Sequence, residues 1–457
     1  MTKSATKAAP SKPASADAAE GAAERETFVT SKGREIDYNP GHLEFMDRTR
    51  GKFTNTAAIS DYVDRASTLV AGDYDKISSE NKDSVRLKES KISLWSYSHR
   101  YAHACMVPEL LRGLPVKRKF KRMLDIGCGF GVQPAILKGI GVVEEAHGID
   151  IVDRASAIKP ETLQKLHRRM RHLKYVDGYV ERLSDRDPED LTPMQRAIVQ
   201  KVQTPRLSVY RASGIMLPKT IYNNKLVAEP KLDAFWEADV YKHEERYDLI
   251  TAFSCVEWFR SKELFQKVAD MLEVGGIFYM YVANWWGGNA AVRANGLFPY
   301  AIQRLDDEER EDYVKRQYPD NAAEVRNLYE YYDTDRPTQK DYIEAALQAN
   351  LVPVVHRMAV APYKYAQRRG ITPLGYAIDD HARFREALED IRRFRPDVGA
   401  EDLLSSQSYL AFMRVDPDAR MNRAKYQEVS KKVDFHYRPK GPIERFLREK
   451  GLKFLLK

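Results

Sequence analysis

Two rhythms of apolar and polar positions run through the middle of the chain. The first is a short apolar run closed by a turn signal. Met123, Leu124 and Ile126 make such a run in K-R-M-L-D-I, which leads straight into Gly127, Gly129 and Gly131. Runs of this kind suit the buried strands of a parallel sheet. V-V-E-E-A-H-G-I-D, ending at Asp150, predicts a second strand, and L-D-A-F-W-E-A-D-V-Y a third. Y-D-L-I-T-A-F-S-C-V-E-W-F, opened by Tyr247 and Asp248, predicts a fourth. Gly275 and Gly276 turn the chain into a fifth, whose apolar stretch Ile277 to Trp286 is interrupted by Asn284. The second rhythm has the period of an amphipathic helix. It covers Val132 to Ile140, Ser261 to Leu272, and a segment that starts near Thr338 and stops at an Asn350 cap before a sixth strand. Ser408 to Val415 supplies a seventh strand. Strands alternating with helices predict an α/β fold built on a doubly wound sheet.

The spacing of these elements divides the rest of the chain. Residues 1–30 are rich in Ala, Lys, Ser and Pro and are expected to form a disordered leader. They have no apolar stretch of the kind a secretory signal needs, and Asp17, Glu20, Glu24 and Glu26 argue against an organellar transit peptide. Residues 31–120 read as a helical extension, with Trp95, Tyr97, His99, Tyr101 and His103 just ahead of the first strand. The sheet domain is expected over 121–416. About eighty residues separate Asp150 from the next strand, far more than one crossover needs, which marks an insertion at 154–230. A second insertion occupies 362–405, and Arg293 to Tyr332 reads as a strongly charged helical stretch. Residues 417–457 form a tail in which Ile443, Phe446, Leu447 and Leu452 give an apolar side among lysines and arginines. Such a tail suits docking on its own domain, on a partner or on an anionic membrane surface.

Composition narrows the class. With 457 residues, 43% hydrophobic and 31% charged, the chain reads as a soluble globular protein. No apolar run is long enough to span a bilayer. The net charge of +8 sits almost wholly in the tail, where residues 417–457 hold twelve Lys and Arg against five Asp and Glu. A body this close to neutral gives no argument for nucleic acid. The segment Lys159 to Lys174 is the exception, a helix with a dense basic side that is either a solvated face or a phosphate contact. Cys105, Cys128 and Cys255 are the only cysteines and form no C-x-x-C pair, so neither a disulfide frame nor a metal site is expected, and a cytoplasmic location fits.

The chemistry gathers at the glycines. The dinucleotide fingerprint G-x-G-x-x-G would require glycine at position 132, which is Val132. The pattern is D-x-G-x-G-x-G, from Asp125 to Gly131, followed about twenty residues later by Asp150 at a strand end, where a doubly wound fold offers a carboxylate to a ribose diol. Glycine turns also serve close packing alone. This pattern resembles motif I of the class I S-adenosylmethionine (SAM) dependent methyltransferases. Y-D-L-I and the Val274-Gly275-Gly276 element resemble two further segments of that family. The resemblance implies a seven-stranded Rossmann-like methyltransferase sheet with six parallel strands and one antiparallel strand at the sheet edge, preceded by a segment that folds over the cofactor cleft. It implies SAM as cofactor, with Asp125, Gly127, Cys128, Gly129 and Gly131 around its methionine end and Asp150 with Ile151 at its ribose. Asp239 and Val240 would meet the adenine, and Phe253 closes the set.

For the acceptor, the sequence lacks both D/N-P-P-Y/F and a Pro-Cys nucleophile, which favours a small-molecule or glycan acceptor and O-methylation over base methylation. Asn284, Trp285 and Trp286 would form an aromatic wall for it, with core packing as the other explanation. Glu257 is the candidate base, since a hydroxyl acceptor must lose a proton. Trp258 stands where many relatives have a histidine, and His99, His103 and His243 are reserves. The alternatives are an RNA methyltransferase and a non-catalytic scaffold of the same fold. Homo-oligomer formation is compatible with the insertions.

Overall fold

In the computed structural model, which describes residues 26–38, 92, 94–112, 114, 119–153, 155–168, 170, 225–287, 297–319, 322, 335–359, 373–405 and 407–418, two strands form an N-terminal hairpin and seven form one sheet. The hairpin is β1 (Glu26–Val29) and β2 (Glu35–Tyr38). The sheet contains β3 (Phe120–Ile126), β4 (Val143–Asp150), β5 (Ala234–Glu237), β6 (Tyr247–Phe253), β7 (Leu272–Ala283), β8 (Leu351–Ala359) and β9 (Gln407–Arg414). Their order is β5-β4-β3-β6-β7-β9-β8. β3 to β7 pair in parallel, and β9 pairs antiparallel with both β7 and β8, so six strands share one direction. The order reverses at β3, which puts the ligand crevice at the carboxyl ends of β3 and its neighbours.

The antiparallel strand is not at the edge where the resemblance put it. β9 lies between β7 and β8, and β8 forms the edge. The side chains explain the exchange. β9 is buried along most of its length, as a central strand must be, whereas β8 carries exposed Val352 and Met358 and a Pro353 that has no N–H to donate. Its pairing with β9 slips between Pro353 and Val355.

Helices cover both faces. One face packs against the helices Leu94–Leu111 and Val132–Gly139 and the helical run 160–168, through Tyr97, Tyr101, Ile136, Leu163 and Leu166. The other packs against Ser261–Met271 and Gln339–Gln348, through Leu264, Phe265, Val268 and Tyr342. Thr338 caps the second of these in a reciprocal box with Asp341, and Asn350 adopts the left-handed conformation beyond its end, with φ 58°. The carboxylate of Asp248, second residue of β6, accepts from the N–H groups of Lys121 and Arg122 at 2.8 and 2.9 Å and holds the start of β3 in register.

A third core stands apart from the sheet. It joins Phe28, Ile36 and Tyr38 of the hairpin to Trp285, Trp286, Phe298 and Tyr313 and to Phe384 and Leu403 of the helices His381–Arg392 and Ala400–Leu404. Residues 26–30, placed in the expected leader, therefore belong to the structure, because Phe28 closes this core. Residues 35–38 of the expected helical extension are strand. The leader before residue 26, residues 39–91, most of the first insertion (171–224), Tyr329 to Tyr332, and the tail beyond Asp418 lie outside the described residues. Among the described residues no helix is long and apolar enough to cross a membrane, and no cluster of three His, Cys, Asp or Glu could hold a metal ion.

Candidate active site

β3 runs into a turn in which Gly127, Gly129 and Gly131 all take positive φ, at 60°, 53° and 63°. Residues with a Cβ adopt that region only at a cost. Space divides the three. A Cβ on Gly127 would lie 2.8 Å from Cys255 Cβ, and one on Gly131 2.5 Å from Leu232 Cδ1, whereas one on Gly129 would meet nothing within 4 Å. Two glycines thus permit packing, and the third bares backbone to open space. The Val132–Gly139 helix starts directly after the turn with no side-chain cap, leaving its first N–H groups for an anionic partner. From β4, Asp150 meets the turn: its Oδ2 accepts from Gly129 N–H at 2.8 Å and its Oδ1 from Val152 N–H at 3.2 Å.

Two further carboxyl groups flank the turn, one buried and one partly exposed with a single buried oxygen. Asp125 is 1% exposed and accepts a 2.6 Å hydrogen bond from Thr251 Oγ1, which the register places beside it. Burial pushes its pKa up to about 8, with Asp150 adding to the rise and the Thr251 bond and Arg100 opposing it. Glu257 lies in the single helical turn Val256–Trp258 beyond β6. The residue is partly exposed, yet its Oε2 is buried without a hydrogen-bond partner, and burial pushes its pKa up to about 7 against a weaker backbone hydrogen bond. Burial raises the Cys128 and Cys255 thiols as well, which makes them inert packing groups.

The expected cofactor residues meet at this end of the sheet. Ile151 follows Asp150, and Cys128 N–H donates to Ile149 O at 3.2 Å. Glu237 pairs with Asp150, and Ala238 N–H donates to Asp150 O at 3.0 Å, which brings Asp239 and Val240 beside Asp150. Asp239 Oδ1 accepts from Tyr241 N–H at 3.0 Å. Phe253 ends β6, opposite Tyr281 of β7.

A sequence profile described as a methyltransferase domain matches residues 97–330, just over half of the chain. The chain belongs to this methyltransferase family. With the sheet order above, it is a class I SAM-dependent methyltransferase. No curated protein sequence matches it. Several solved structures are distantly similar. Phosphoethanolamine N-methyltransferase 2 of Haemonchus contortus, in complex with S-adenosyl-L-methionine, is 11% identical over 67% of this chain and 52% of that chain, with a TM-score of 0.31. Geranyl diphosphate C-methyltransferase of Streptomyces coelicolor A3(2) is 12% identical over 68% and 81%, at 0.32. The cyclopropane synthase MmaA2 of Mycobacterium tuberculosis is 13% identical over 67% and 81%, at 0.31.

Not every expected residue reaches the methyltransferase's cleft. Asn284 donates to Ser405 O, Ser405 Oγ and Ser408 Oγ at 3.0, 2.7 and 3.0 Å and accepts from Gln339 Nε2 at 2.9 Å. That network ties the end of β7 to β9 and to the Gln339–Gln348 helix. Trp285 and Trp286 are 5% and 1% exposed, packed in the third core, with the Arg336 and Arg395 guanidinium groups over their rings. The tryptophan wall is therefore corrected to a core wedge, because helices from later in the chain cover the rings. His243 bonds Tyr247 OH through Nε2 at 2.8 Å, at the first residue of β6, about 20 Å from the cleft end of that strand. It is too far away to act as a base. His103 is at the cleft end: its Nδ1 lies 3.2 Å from Tyr409 OH and its ring 4.0 Å from that of Tyr281. The Trp95 and His99 side chains lie outside the described residues.

Three members of the site carried no signal that was read from the sequence. Arg100, on the helix Leu94–Leu111, lies over the Phe130 ring and donates to Gln133 Oε1 at 3.3 Å, so that helix covers the glycine turn. Thr251 was detectable in principle, as the single hydroxyl in the middle of an apolar strand. Arg100 and Gln133 were not.

Proposed function

We propose that the methyltransferase transfers the methyl group of SAM to a protic nucleophile, a hydroxyl or an amine, on a small-molecule acceptor, and that Glu257 takes the proton. Bound SAM supplies a methyl already activated by its sulfonium. The residues fit that ligand: Gly129 faces open space, and Asp125 is a buried carboxyl that an incoming ammonium group would stabilise in its charged form. Asp150, with about four acceptor sites on its two oxygens, would hold ribose hydroxyls beside the turn. Asp125 would orient the methionine amino group and Asp239 with Val240 the adenine. The helix Leu94–Leu111, through Arg100 and Phe130, would exclude water from the reacting end.

The observation that carries the acceptor side is Glu257, a carboxyl with a buried, unpartnered oxygen and a pKa near neutrality, which is where a general base works best. A glycan loses its support with the tryptophans in the core. Within 160–168 the exposed cations are Lys165 and Arg168, beside buried Leu163, Leu166 and His167, and two cations give RNA little support against a small molecule. Incubation with methyl-labelled SAM and fractionated lysate tests the reading. Label is expected in small metabolites. Label in RNase-sensitive material, or SAM binding with no transfer to any fraction, rejects it.

A further inference from the structure

Among the described residues, no lysine, arginine or histidine forms an ion pair with Glu257. Its surroundings are aromatic instead. The turn that carries it hangs from the β6 and β7 pair, where Phe253 faces Tyr281 and Ser254 N–H donates to Tyr281 O at 2.8 Å. Beyond the effect of their own burial, and for Tyr281 of the neighbouring Tyr409, its charge also raises the phenol groups of Tyr281 and Tyr342, so both lie within its electrostatic reach. Tyr281 is backed by His103, itself bonded to Tyr409. A buried carboxylate without a cation is costly. A hydroxyl would offer it a hydrogen bond but no charge, and an anionic acceptor would add repulsion. A protonated amine supplies both the bond and the charge, and aromatic rings favour cations at their faces.

We propose that the acceptor is an amine, held as its ammonium ion against Glu257 beside Tyr281, and that the same carboxylate then receives the proton the nitrogen must lose. The nitrogen lone pair so freed forms the new N–C bond while the methyl–sulfur bond breaks and its electron pair stays on sulfur. The products are the N-methylated ammonium ion, which carries the charge the sulfonium gave up, the neutral thioether of SAM, and Glu257 in its protonated form. This rests on Glu257 being the acceptor-side carboxylate.

Trimethylammonium, a cation with one N–H to donate, is the probe, titrated into the full-length protein saturated with S-adenosylhomocysteine, which carries no sulfonium charge to compete for the carboxylate. It should bind, and E257Q should weaken it roughly tenfold while S-adenosylhomocysteine affinity stays within about twofold. For the wild type, binding should strengthen as pH rises from about 6 to about 8, as the Glu257 carboxyl ionises, and E257Q should lose that dependence. Tyr281, Tyr342 and Cys255 are raised groups that stay neutral over this range. Bound S-adenosylhomocysteine with no trimethylammonium binding, or with binding that neither pH nor the variant changes, overturns the amine and leaves the methyltransferase reading standing. Failure to bind S-adenosylhomocysteine overturns both. If E257Q does not fold, the pH series is run on Asp125→Asn as well, which removes the other raised carboxyl of the cleft: a dependence that persists supports Glu257, and one that disappears overturns the proposal.

Discussion

Asp150, Asp125 and Glu257 sit within one cleft and differ because their partners differ. Asp150 receives two backbone N–H groups, Asp125 one hydroxyl, and the buried oxygen of Glu257 nothing. Asp150→Ala removes both the turn's brace and the expected ribose contacts, and should weaken SAM affinity by about 1.5–3 kcal/mol in calorimetry. Unchanged affinity would remove Asp150 from the cofactor site. Gly127→Ala should cost roughly 1–3 kcal/mol of stability in denaturant unfolding, since its Cβ would lie 2.8 Å from Cys255 Cβ at a φ of 60°. A wild-type midpoint for that variant would mean the turn relaxes freely.

At the scale of elements, the sheet's wiring depends on Asn284. Its carboxamide holds β9 against the end of β7 and reaches the helix through Gln339. Asn284→Ala should therefore lower stability by about 2–4 kcal/mol, by leaving buried polar groups unpaired, and leave SAM affinity within about twofold. The reverse pattern, weaker ligand binding at full stability, would return Asn284 to the cleft. The helices and most strands were legible because helix burial repeats every 3.6 residues and the buried parallel strands are short apolar runs closed by turns. The place of β9 was not. An apolar strand of eight residues reads the same at an edge as inside a sheet, and only its pairing with β7 and β8 distinguishes them.

For the whole molecule, Arg34 locks the hairpin to the third core. Its guanidinium meets Glu309 at 2.7 Å and Asp390 at 2.9 Å and donates to Arg304 O at 2.8 Å, and Asp390 also holds Arg304. Arg34→Ala should destabilise the protein by about 3–5 kcal/mol, because it strands a buried carboxylate. A loss under about 1 kcal/mol in thermal or denaturant unfolding would show the hairpin to be loosely attached. Stability should also depend on pH through two opposing slopes. Burial lowers the folded-state pKa of His147 and His243, so the unfolded chain takes up protons first and stability drops as pH falls below about 6.5. Asp125 and Glu257 are raised, so their contribution is full below about 4 and is lost as pH climbs through about 7 to 8. Denaturant unfolding from pH 5 to 9 checks both slopes, and Asp125→Asn should flatten the second.

Local order was written in the chain itself: the strand leading into D-x-G-x-G-x-G, the acid at the end of the next strand, the helix opened by Thr338, and the parallel plan they build. Each depends on neighbours within a few residues, through backbone conformation and the period of burial. Whatever needed contact between distant segments was decided by the tertiary structure. The third core draws on residues 26–38, 285–286, 297–318 and 373–405, and a tryptophan at a strand end carries no mark of whether a ligand or a helix will cover it. The bare oxygen of Glu257 is of the same kind, since no sequence pattern records which groups stay away from a carboxylate.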